Sequence, residues 1–74
     1  MQSAHYAVEH KVQNKWVEHA QYADTLAVMT QQNIDPAWQV GLWRVVDLPR
    51  RRPLWGWQDG KWVGRGTVRE ELLA

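Results

Sequence analysis

YAVEHKVQNKWVEHAQY, residues 6–22, is the stretch on which the fold turns. At helical period, Val8, Val12, Trp16 and Ala20 recur every four residues and line up as a narrow apolar stripe. At period two, residues 6–12 and 16–22 form an antiparallel hairpin around Gln13-Asn14-Lys15. With that three-residue loop, one face pairs Tyr6 with Tyr22, Val8 with Ala20, His10 with Glu18, and Val12 with Trp16. The other face pairs Glu9 with His19 and Lys11 with Val17. Two acid–histidine pairs and two apolar or aromatic pairs in one register suit an antiparallel ladder. The helix instead spends three β-branched valines and surrounds its stripe with His, Lys and Gln. The hairpin is therefore preferred, although Lys15 is an unusual last residue for such a loop.

Working outward, every Gly and Pro lies at or after Pro36. Asp24 or Thr25 can cap a helix over 25–33, with Leu26, Met29 and Thr30 facing inward. Asp35-Pro36 ends it. Trp38, Val40 and Leu42 alternate with Gln39 and Gly41, which predicts a strand over 38–47. Leu48 to Pro53 reads as a stiff loop bracketed by two prolines. Residues 54–58 and 61–65 flank Asp59-Gly60, a type I′ hairpin signal that sets Trp57 opposite Trp62 and Trp55 opposite Gly64. Thr67-Val68-Arg69-Glu70 has the form of a capping box opening a short helix with Val68 and Leu72 on one side. The expected fold is α+β: a small antiparallel sheet of four or five strands, order ββαβββα, with one helix packed on a face. Residues 1–74 make one domain, with 1–4 as a loose tail.

Composition bounds the function. The chain has 74 residues, 45% of them hydrophobic and 23% charged, the balance of an ordinary globular domain. A chain this short buries only about 60% of its unfolded surface. Six tryptophans and no phenylalanine carry its apolar bulk. Cysteine is absent, which excludes disulfides, thiolate zinc sites and a Cys nucleophile. The sole serine, Ser3, lies in the expected tail and is no credible nucleophile. No apolar run approaches a membrane span and no leader pattern is visible, so a cytoplasmic protein is expected.

Net charge is +1 but unevenly spread. Over residues 1–40, Lys11 and Lys15 stand against Glu9, Glu18, Asp24 and Asp35, a balance of −2. Over 41–69, Arg44, Arg50, Arg51, Arg52, Lys61, Arg65 and Arg69 outnumber Asp47 and Asp59 by five. Such asymmetry points to an anionic partner.

His5, His10 and His19 with Glu9 and Glu18 are the one metal-capable group, but the hairpin splits them between two faces. No metal, cofactor or catalytic residue is therefore expected. Gly56 to Trp62 lacks the spacing and the Ser or Thr of a phosphate loop, and Gly64-Arg65-Gly66 lacks the third glycine of a dinucleotide fingerprint. What remains is Arg50-Arg51-Arg52 beside the second hairpin. Together with Arg44, Trp55, Trp57, Lys61 and Arg65 it forms the expected partner-binding surface. Trp and Arg are enriched at protein hot spots. The expected function is a non-enzymatic binding or regulatory protein that docks on a larger protein or nucleoprotein with an acidic surface. Its size suits an accessory protein of a phage or mobile element. The alternative is a single-stranded nucleic-acid module in which arginines meet phosphates and indoles stack on bases. Six indoles exceed one small core, so some should form an exposed patch or meet a second copy in a homodimer.

Overall fold

The computed structural model describes residues 4–64, with side chains through Lys61. It contains β1 (Tyr6–Val12), β2 (Lys15–Tyr22), α1 (Thr25–Ile34), a 3-10 turn (Pro36–Gln39), β3 (Leu42–Asp47), β4 (Arg52–Gln58) and β5 (Lys61–Gly64). The five strands form one antiparallel sheet in the order β2-β1-β3-β4-β5. With α1 placed between β2 and β3, the fold is α+β, as expected. The expected helix at Thr67–Glu70, together with Arg65, lies outside the described residues.

The first hairpin is present, but its turn and half its register differ from the expectation. Gln13 and Asn14 both adopt positive φ, 51° and 64°, so the connection is a two-residue turn of the I′ kind. Lys15 thereby joins β2 as the partner of Val12. Tyr6↔Tyr22 and Val8↔Ala20 hold, whereas Glu9 faces Glu18, His10 faces Val17 and Lys11 faces Trp16. A bulge at His19 absorbs the one-residue difference between the two ends. The expected His10–Glu18 and Glu9–His19 pairs do not form.

Asp24 caps α1, its carboxylate accepting the Ala27 amide hydrogen at 2.8 Å. The inward face is not the expected one. Val28 is fully buried, while Leu26, Met29 and Thr30 face solvent. Val28 joins Trp38 in one buried cluster with the sheet residues Val8, Trp43, Val45 and Trp57.

Trp38 and Val40 are not in a strand either. Asp35 caps a second, tighter turn by accepting the Ala37 amide hydrogen at 2.9 Å, with Pro36 at its first position. Alternation over 38–42 thus reflects a turn that tips Trp38 into the core, and the strand begins only at Leu42.

The core lies on the face of the sheet that carries Trp38. Val8, Val28, Trp38, Trp43, Val45 and Trp57 are buried together, with Tyr6, Tyr22 and Trp55 packed at their margin. Trp43 and Trp57 are cross-strand partners with rings 2° from parallel, and Trp38 stacks on both at 5.3 and 5.5 Å. The Trp57 indole N–H donates to the Trp38 carbonyl at 2.6 Å, and that of Trp43 to the Val40 carbonyl at 2.8 Å. Each buried indole removes on the order of 150–250 Å² from water, roughly 4–6 kcal/mol as an upper bound. Burial and the nearby Asp35 carboxylate push the Tyr22 phenol above its usual range.

The second hairpin turns at Asp59 and Gly60 with φ of 50° and 79°. Trp57 faces Trp62 as expected, but a bulge sets Gly56, not Trp55, opposite Gly64. The turn is tied back to the segment before β3. The Asp59 amide donates to the Gly41 carbonyl at 2.9 Å, and the Gly41 amide donates to the Asp59 carboxylate at 2.8 Å. Position 60 favours glycine because its φ of 79° lies in the left-handed region that side chains rarely adopt.

Candidate functional site

The arginine run forms the turn between β3 and β4, and its backbone is specified locally. Pro49 limits the entry, and Arg51 adopts φ of 52° to close the turn. Arg52 opens β4 opposite Asp47. Pro53 faces Val46 beside a bulge at Leu54. Among the described residues β5 pairs with Gly56, Trp57 and Gln58, at the other end of β4 from Pro53. The Leu48 amide donates to the His5 carbonyl at 2.9 Å, which anchors the turn to the start of β1.

Arg50, Arg51 and Arg52 are all exposed. Arg50 Nη1 reaches the Asp47 carboxylate at 3.1 Å while its side chain stays 73% accessible. Arg51 and Arg52 have no ionic partner among the described residues. The register places Asp47 and Arg52 on the face that carries Tyr6, Val45 and Trp55. Trp55 is half-buried against the margin of the core. The turn therefore combines two guanidinium groups without an ionic partner among the described residues, a third shared with one carboxylate, and an aromatic margin nearby.

Other residues of the expected surface lie elsewhere. Trp57 has no exposed surface and belongs to the core, as does Trp43. Arg44 lies midway along β3 on the opposite face, its Nε 2.6 Å from Glu9 Oε1 and its guanidinium 4.2 Å above the Trp16 ring. Lys61 is exposed, but it pairs with Gln58 at the far end of β4. Six residue steps of strand put it roughly 20 Å from Arg52. Arg50, Arg51, Arg52 and Trp55 are thus brought together, whereas Arg44, Trp57 and Lys61 are not.

The histidines are turned on aromatic neighbours. His10 stacks on Trp43 at 4.1 Å, His19 meets Trp38 and Trp43 edge-on, and His5 meets Tyr6 edge-on. Among the described residues no group of three or more His, Cys, Asp or Glu is gathered that could hold a metal ion, and no helix is long and apolar enough to cross a membrane.

One exposed apolar surface escaped sequence reasoning: the outer side of α1, whose Leu26, Met29 and Ile34 were expected inside or assigned no role. The signal was there in the lack of any charged residue from Thr25 to Ile34. No family model, curated protein or solved structure matches this chain.

Proposed function

We propose that this chain is a non-enzymatic binding protein that docks on an acidic surface of a larger protein through the β3–β4 turn. The observation that carries the reading is the exposed state of Arg51 and Arg52, charged and without ionic partners among the described residues, on a turn whose backbone is already restrained. Adjacent guanidinium groups repel one another, and an acidic partner relieves that repulsion while accepting forked hydrogen bonds. Pro49 and the Leu48 tie to His5 reduce the ordering cost on binding. Trp55 contributes the apolar contact beside the charges. Single-stranded nucleic acid is the weaker reading, because among the described residues Trp55, itself half-buried, is the one indole beside the turn, and gripping successive bases takes more than one stacking platform.

Replacing Arg50, Arg51 and Arg52 together by alanine should leave thermal stability nearly unchanged, since the Arg50–Asp47 pair is exposed and worth at most about 1 kcal/mol. Affinity for the partner, measured by titration at low and physiological salt, should fall at least tenfold, about 1.4 kcal/mol. For an acidic protein the loss should lie mainly in the association rate. A loss that also flattens a steep salt dependence identifies a nucleic acid instead. Unchanged affinity makes the run a solvated turn and ends the proposal.

A further inference from the structure

One face of the sheet is covered by Val28 of α1 and Trp38 of the 3-10 turn. The opposite face carries Ala7, Val46 and Pro53 in one cross-strand row, and Glu9, Arg44 and Gly56 in the next. Among the described residues no helix or strand lies across these two rows, since α1 and the 3-10 turn are both committed to the first face. Ala7 and Val46 are nonetheless 1% and 8% accessible, and Gly56 is buried as well. Ala7 and Val46 stand outside the Trp38 cluster, so their burial is a separate event. A sheet face left to water alternates polar residues outward. This row is apolar and dry.

We propose that this row is the docking surface for the chain's own segment 65–74, which covers it through Val68 and Leu72. The inference is independent of the arginine turn. Direction supports it first. β5 runs antiparallel to β4, from Lys61 opposite Gln58 to Gly64 opposite Gly56. The chain leaving Gly64 is therefore aimed toward the Pro53 end of β4, where the Ala7–Val46–Pro53 row lies. Reach supports it next. From β5 across β4 and β3 to β1 is three strand spacings, about 14 Å. Residues 65–74 span about 15 Å even if wholly helical.

The chemistry of the two surfaces matches. Val68 and Leu72, four residues apart, fall on one side of the helix expected from the Thr67–Glu70 capping box. Ala7 and Gly56, the smallest residues of the two rows, leave a shallow trough for such side chains beside Val46. Along β1, β2 and β3 this face sets Glu9 and Glu18 against Lys11 and Arg44. The segment sets Arg65 and Arg69 against Glu70 and Glu71. Each side sums to zero, so no net charge repels one from the other.

Nuclear Overhauser contacts between methyl groups of the full wild-type chain test the placement directly. The Ala7 and Val46 methyls should show contacts with those of Val68 or Leu72. In a mixture of isotope-labelled and unlabelled copies, a filter that passes only contacts between copies should remove them. Leu72→Lys should lower the melting temperature by roughly 5–15 °C. Leu26→Lys, on the exposed side of α1, should leave it nearly unchanged. Lack of any contact from 65–74 to Ala7 and Val46 overturns the proposal. So do contacts that pass the filter, which make a second copy the cover, and so does a Leu72→Lys variant as stable as the wild type.

Discussion

The two faces of the sheet use tryptophan in opposite ways. On the face under α1, Trp38, Trp43 and Trp57 stack on one another out of reach of water, and two of their three indole N–H groups are satisfied by backbone carbonyls. On the other face, Trp16 lies half-buried beneath cations, with Arg44 at 4.2 Å and Lys11 Nζ at 5.4 Å from the ring centre. The first arrangement derives its strength from removing large apolar area from water. The second works by covering one ring with charged groups whose heads stay hydrated or ion-paired, as Arg44 does with Glu9. The difference teaches that a tryptophan count measures neither core nor site until the partners of each ring are known.

The largest expected effect tests the stacked face. Trp57→Ala leaves a large void beside Trp38 and Trp43 and strips the Trp38 carbonyl of its donor. It should cost about 3–5 kcal/mol in denaturant unfolding. A domain of this size has only roughly 4–11 kcal/mol in all, so the variant should be mostly or marginally folded at best. A loss below about 1 kcal/mol would break the comparison, since Trp57 would then be no more structural than Trp16.

A smaller effect sharpens the other side. Trp16→Ala and Arg44→Ala, separately and together, form a double-mutant cycle whose coupling should be about 0.5–1 kcal/mol in favour of the pair. Coupling indistinguishable from zero would reduce the outer face to packing alone.

The smallest effect concerns the β4–β5 turn, which is tied to Gly41 ahead of β3. Hydrogen bonding from the Gly41 amide, then from the Gln58 amide, with help from Lys61, holds the Asp59 carboxyl below its ordinary value of 3.8. A lowered folded-state value means that this stabilisation is present above pH 3.8 and is lost as pH falls through the folded value. Asp59→Asn keeps a residue that accepts positive φ but removes the charge. Its melting temperature should lie slightly below that of the wild type at neutral pH, and the two should converge in acid. A gap that stays constant with pH would assign the tie to geometry without charge.

How much of this could be read in the sequence depended on whether a signal was local. Asp59-Gly60 announces its turn with two residues, and the hairpin it makes is where expected. Gln13-Asn14 makes a turn of the same kind, yet only Asn14 favours positive φ, so the loop length was read one residue too long. The bulge at His19 then hid the error, because Tyr6–Tyr22 and Val8–Ala20 remain paired. Trp38-Gln39-Val40-Gly41-Leu42 alternates like a strand, but Asp35 and Pro36 specify a capped turn that overrides the alternation. Exposure of Leu26, Met29 and Ile34 is a tertiary outcome: α1 is turned so that Val28 is the residue it buries in the core. At the candidate site, the proline-bracketed arginines were legible as an exposed turn. Which tryptophans accompany them was not, since Trp55 and Trp57 differ only in how far each lies from the sheet margin.

The near-parallel indoles of Trp43 and Trp57, with Trp38 stacked on both, have an optical consequence. Transition dipoles this close couple, and their shared excitation splits into a pair of oppositely signed circular dichroism bands in the far ultraviolet. With one ten-residue helix among the described residues, that couplet competes with the backbone signal and distorts any helix content taken from it. It also supplies a probe of the stacked rings themselves. During unfolding the couplet vanishes when the three rings part, so its midpoint can be set against that of the sheet to show whether core and backbone separate together.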